Sequence, residues 1–146
     1  MTSSSIEELS LERCLQLLGS HSVGRIAVVV DRFPIVFPVN YRLVTDPEPY
    51  LAIRTRPGGS VDRSASHVAF EIDGIDAAAH TGWSVLVRGG VRELADDDAE
   101  VRSLIDPHPW LLDERDRWLA VQPLTITGRM LLGDAAEWSF QAAAYL

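Results

Sequence analysis

Polar residues fill most of the first eight positions, so residues 1–8 are expected to form a loose N-terminal tail. From Leu9 to Leu18 the apolar side chains of Leu11, Cys14, Leu15, Leu17 and Leu18 recur on one helical face, with Ser10 placed as N-cap and Gly19 as stop. The pattern then changes to that of strands. Val23 to Val30 is rich in β-branched residues, Asp31–Arg32 suits a turn, and Phe33 to Val44 predicts a second strand. Pro34 and Pro38 have no N–H to give, which confines their positions to ladder gaps, an edge or a bulge. Asp46-Pro-Glu-Pro predicts a turn before a third strand at Tyr50 to Thr55. Arg56-Pro-Gly-Gly-Ser predicts a loop into a short helix near Val61 to Ser66, and His67 to Asp73 a fourth strand. Gly74 to Gly82 has the composition of a loop, and Trp83 to Leu94 that of a fifth strand in which Gly89–Gly90 suits a bulge or barrel corner. Asp96-Asp-Asp-Ala-Glu places acidic residues at the positive end of a second helix, which Pro107 stops. Asp106-Pro-His-Pro-Trp then predicts a rigid loop, and Arg117 to Leu131 a final long strand. Residues 134–146 take no assigned type, although Trp138 and Phe140 favour a packed segment over a free one.

Six strands joined mostly by short turns, with helices at the margins, predict a mainly β fold: an antiparallel barrel with α additions. The 146 residues suit a single domain spanning 1–146, since no linker, repeat or low-complexity segment interrupts them. A lone cysteine, Cys14, forms no internal bridge and falls on the apolar face of the first helix, where it reads as a small core residue. The formal charge of −8 argues against general nucleic-acid binding while leaving room for a local cationic pocket. The first residues carry no basic region and no apolar run, and no stretch approaches the ~20 apolar residues of a membrane span, so a cytoplasmic protein is expected.

Several chemistries leave no trace. There is no phosphate-loop motif, no Gly-x-Gly-x-x-Gly and no Gly-x-Ser-x-Gly. His21, His67, His80 and His108 lack metal-site spacing, and Asp96 to Asp98 read as a solvated helix start; no metal site is expected. With no acid–base constellation in view, catalytic residues stay unassigned and the chemistry is expected to come from a cofactor.

Six strings in order carry a resemblance: Val23-Gly-Arg-Ile-Ala-Val-Val-Val, Ile35-Val-Phe-Pro-Val-Asn-Tyr, Ala52-Ile-Arg-Thr, Val68-Ala-Phe-Glu-Ile-Asp, Thr81-Gly-Trp-Ser-Val-Leu-Val-Arg-Gly and Ile126-Thr-Gly-Arg. Together they make the chain similar to the pyridoxamine 5′-phosphate oxidase-like flavin-binding split barrels, in their branch of small uncharacterised flavoproteins. The resemblance implies a six-stranded split barrel working as a homodimer, with FMN held between subunits. It places the flavin ring along Pro38, Val39, Asn40 and Tyr41, where backbone N–H groups and the Asn40 amide meet the ring's polar edge, unless Asn40 simply faces solvent. The phosphate would lie near Arg54, Thr55 and Ser60, unless Arg54 is simply an exposed strand-end arginine, and Trp83 and Ser84 would approach the flavin from the neighbouring strand, unless Trp83 is ordinary core. Arg88 is open between that pocket and water. One departure stands out. Relatives usually carry lysine after the loop serine, where this chain has Val61; Arg54, Arg56 or Arg63 would have to compensate.

The implied function is an FMN-dependent oxidoreductase acting on a small molecule. The alternatives are a reductase using the deazaflavin F420, a haem protein with His67, His80 or His108 as ligand, and a non-catalytic binding or redox-sensing module. Pyridoxamine phosphate oxidation itself is not expected, because a C-terminal arginine-rich substrate segment is missing. Trp110 and Trp118 are large apolar groups fit to close a partner subunit's pocket or to pack on their own chain.

Overall fold

The computed structural model describes residues 5–55, 59, 61, 67–94 and 117–133. In chain order they form β1 (Ser5–Leu9), α1 (Leu11–Ser20), β2 (Val23–Val30), β3 (Phe33–Val44), β4 (Tyr50–Thr55), β5 (Val68–Asp76), β6 (Thr81–Glu93) and β7 (Arg117–Leu132). The strands are ordered β1-β7-β4-β3-β2-β5-β6, every pairing among the described residues is antiparallel, and β6 returns to β7. β2 to β7 therefore close a six-stranded ring, as expected, and β1 adds a seventh strand outside it.

That seventh strand corrects the expectation of a loose tail over residues 1–8. β7 is 16 residues long. On one edge it pairs with β6 from Leu119 to Leu132; on the other it meets β4 only from Arg117 to Val121, and β1 from Gly128 to Leu132. The backbone groups that β4 leaves at the far end of β7 are satisfied by Ser5–Leu9. The stretch Gly74 to Gly82, expected as loop, is mostly ladder as well: β5 runs to Asp76, facing Thr81 of β6. Of the helix expected at Val61 to Ser66 only Val61 is described, and the helix expected from Asp96, the loop at 106–110 and residues 134–146 lie outside the described residues. Among the described residues no helix is long and apolar enough to cross a membrane.

Alternation sets the two faces of the barrel. Ile26 and Val28, Tyr41, Leu51 and Ile53, Phe70 and Ile72, Val85 and Val87, and Leu119 and Val121 point inward and are buried. Cys14, Leu17 and Leu18 of α1 close one end of this core. Each such aliphatic or aromatic side chain contributes on the order of 1.5–3 kcal/mol through burial. Three side chains anchor the C-terminal carbonyls of α1: Tyr41 Oη donates to Leu18 O at 2.6 Å, Ser20 Oγ to Leu17 O at 3.0 Å, and His21 Nδ1 lies 2.8 Å from Leu17 O. The helix begins at the expected cap, Ser10, whose Oγ accepts from Arg13 N at 3.1 Å. It runs one residue past Gly19, to Ser20.

β4 is buried on both sides. Its outward Tyr50 and Ala52 pack with Leu94, Ala120, Val44 and Trp118 into a second apolar cluster. At Gly89 the β6–β7 register shifts, as its sequence suggested; a Cβ there would collide with the Gln122 carbonyl.

Candidate functional site

The outer face of β3 and β4 holds the first group of site residues. β3 pairs with β4 only from Tyr41 to Val44, so Phe33–Asn40 has β2 on one edge and no described strand on the other. Tyr41 N donates to Ser22 O at 2.9 Å. By the alternation of an antiparallel ladder, odd-numbered residues of β3 bond β2 and even-numbered ones address the open edge. Pro34 and Pro38 fall on even positions, so their missing donors lie along that edge, as their composition required. Val36 and Asn40 hold the other even positions of this stretch.

Pro38, Asn40 and Arg54 share the outer face. Val39 points inward against the core, and Tyr41 is fully buried with its ring 4.8 Å from that of Phe70. Thr55 is buried at the end of β4 on the same face as Ile53. Only the backbones of Val39 and Tyr41 are therefore shared with the outer surface. Arg54 stacks over the Trp118 ring at 5.9 Å. Arg42, absent from the sequence-derived set, lies opposite Ala52 and on the same outer face as Asn40 and Arg54; its spacing of two from Asn40 was the available signal. Ser60, Arg56 and Arg63 lie outside the described residues. Val61 packs into the core, 6% exposed, so the side chain at this position does not face a phosphate. The chain has no lysine anywhere, and every cationic side chain in it is a guanidinium.

The second group lies elsewhere. Trp83 and Ser84 are on β6, which β5 and β2 separate from β3. Three strand spacings place Ser84 ~14 Å along the barrel wall from Asn40. β6 is thus not the neighbour of β3, and one chain does not gather the expected residues into one pocket. Ser84 lines a groove of about 280 Å³ with Ile6, Asp73, Ile75, Gly82, Trp83, Arg129 and Leu131, Thr81 completing it. The Trp83 ring packs edge-on against His21 at 5.1 Å. Asp73 is already engaged: Arg25 binds Glu71 at 2.6 Å and Asp73 at 3.0 Å. The hydrogen bonds it donates to Glu71 make the Arg25 guanidinium still harder to deprotonate, while burial pushes the Glu71 carboxyl up against the pull of Arg25. Arg88 lies on β6 opposite Ala69, exposed to water. Among the described residues no cluster of His, Cys, Asp and Glu is arranged to hold a metal.

Comparison with known proteins gives these features their setting. The chain belongs to the pyridoxamine 5′-phosphate oxidase family, whose model matches residues 10–130. An uncharacterised Mycobacterium tuberculosis protein, Rv0080, is 32% identical over 137 residues, covering 89% of this chain and 88% of the relative. Among solved structures, an FAD-binding protein of Mycobacterium smegmatis is 30% identical with a TM-score of 0.65, over 86% of this chain and 98% of the other. An FAD-binding protein of Mesorhizobium loti matches at a TM-score of 0.75 and 23% identity, over 88% of this chain and 98% of the other, a likeness of fold.

Proposed function

We propose that this chain is a flavin-binding homodimer, with two cofactor sites shared between subunits, that serves oxidoreduction of a small molecule. The observation that carries this reading is the separation of the two groups of site residues. Asn40, Arg42 and Arg54 occupy one sector of the barrel wall and Ser84 another, Trp83 being packed against the core, so a second copy would bring both groups to one ligand. Val29, Phe33 and Val36, exposed apolar residues of the β2–β3 hairpin at 59–71% accessibility, support a subunit contact there.

The donor set fits a phosphorylated flavin. Two outward guanidiniums, Arg42 and Arg54, suit a phosphate in a chain without lysine, and the Asn40 amide with the edge N–H groups of β3 suits the polar rim of the ring. When bound, a flavin supplies reversible two-electron transfer; the residues bind, orient and shield it. FMN is the form this donor set requires at minimum. The FAD-binding mycobacterial neighbour makes FAD the second reading.

An absorption spectrum of the purified protein, followed by chromatography of the released cofactor against FMN, FAD and F420, tests the proposal. Yellow protein releasing FMN or FAD is expected. Colourless protein that takes up neither on titration would end the flavin reading and leave the F420 enzyme or the non-catalytic module.

A further inference from the structure

The groove on β6, about 280 Å³, is two-sided in its chemistry. Gly82 forms part of the floor, with the exposed Ile75 and Ile6 and the half-buried Leu131 as apolar walls. At the other end stand Ser84 and Arg129, direct partners across the β6–β7 ladder. The Arg129 guanidinium makes no ion pair among the described residues, although Glu8 faces it across the β1–β7 ladder. Asp73, the other charge lining the groove, is held 3.0 Å from Arg25, a guanidinium it shares with Glu71. A hydrogen-bond-ready cation at one end of an apolar trough, in a chain of net charge −8, marks the kind of ligand that fits.

We infer that this groove receives a small molecule with an apolar body and one anionic head group, the body lying over Gly82 between Ile6, Ile75 and Leu131 and the head meeting Arg129 and Ser84. As the substrate class of the proposed oxidoreductase, this assignment rests on the flavin reading; as a binding site it does not. Arg129 belongs to the Ile126-Thr-Gly-Arg string, whose arginine has no other evident task in the described fold.

Two probes of similar shape and different charge test it on the full-length protein by fluorescence titration: 1-anilinonaphthalene-8-sulfonate, which is anionic, and N-phenyl-1-naphthylamine, which is neutral. Arg129→Gln should weaken the sulfonate roughly ten-fold and leave the neutral probe unchanged. Gly82→Val should weaken both. A Cβ at Gly82 would meet its nearest neighbours at 3.4 and 3.8 Å, so the substitution fills the trough without forcing the backbone. FMN uptake by Arg129→Gln should equal that of the wild type. Sulfonate binding that survives Arg129→Gln, or that falls together with the neutral probe, overturns the proposal. Simultaneous loss of FMN uptake overturns the substrate assignment by placing Arg129 in the cofactor site, and the flavin reading then stands. Wild-type protein that separates the probes by charge yet takes up no flavin sustains the groove and ends the flavin reading.

Discussion

Tyr41 shows how much one side chain of the barrel is asked to do. Its ring fills the core against Phe70, and its hydroxyl donates to the Leu18 carbonyl at the end of α1. Tyr41→Phe keeps the ring and leaves that carbonyl without its partner, so a loss of about 1–3 kcal/mol is expected in urea denaturation. Burial also pushes the Tyr41 phenol and the Cys14 thiol above their ordinary ionisation range. The unfolded chain releases these protons at about pH 8.5–10 while the native chain keeps them, so stability falls as pH rises through that window. Tyr41→Phe should remove the steeper part of the fall, above about pH 10; an unchanged alkaline slope would show that the phenol is not the group responsible. Val61 poses a contrary case. The family resemblance leads to an expectation of lysine there, yet here the side chain is packed among core residues. Val61→Lys should therefore cost at least ~2 kcal/mol in stability, since an ammonium group would be buried. It should bring no tighter FMN binding in a flavin titration.

At the scale of elements, patterning was readable wherever alternation or β-branched runs were long. β2, β3 and β4 begin and end where expected, because Val23–Val30 is nearly continuous in apolar residues and Asp31–Arg32 interrupts it. β1 was not readable. Ser5–Leu9 carries two glutamates and no alternation, and it becomes a strand only because β7 outlasts β4 and offers an edge. The ends of β5 and β6 escaped for the opposite reason: Gly74, Ala77 to Ala79 and Gly82 have loop composition, but the ladder continues to Asp76, whose Oδ1 accepts from the N–H groups of Ala78 and Ala79 at 3.0 and 2.9 Å to shape the turn. The β2–β3 hairpin offers an element-level prediction. Both of its turn residues have positive φ, 51° at Asp31 and 69° at Arg32, the conformation that favours asparagine and glycine. Arg32→Gly relieves a left-handed residue at some cost in chain entropy, and a net gain of ~0.5 kcal/mol is expected in chemical denaturation. A loss instead would mean that the Arg32 side chain contributes more than its backbone conformation costs.

For the molecule as a whole, strand membership of the site residues was legible and their mutual placement was not. Sequence order puts Asn40 on one strand and Ser84 on another, but only the closed ring reveals that β2 and β5 stand between them. The same ring turns the shared-site proposal into an arithmetic prediction. Take one chain carrying Arg54→Ala and another carrying Ser84→Trp, which puts a bulky ring where the proposed flavin would meet β6. Each homodimer should lose flavin binding, because every site contains one altered group. In a mixed dimer one site collects both alterations and the other collects neither. Unfolding and refolding the two variants together in equal amounts gives half mixed dimers, so about one quarter of the wild-type sites should return. Flavin absorbance per chain after removal of free cofactor measures the recovery. If Arg54 and Ser84 instead served one ligand within a single chain, each chain would keep its own defect after mixing, and absorbance would stay at the level of the separate variants. Sizing chromatography of the same samples separates the remaining explanation: variants that run as monomers have lost the subunit contact, whereas dimers without flavin place the defect at the ligand.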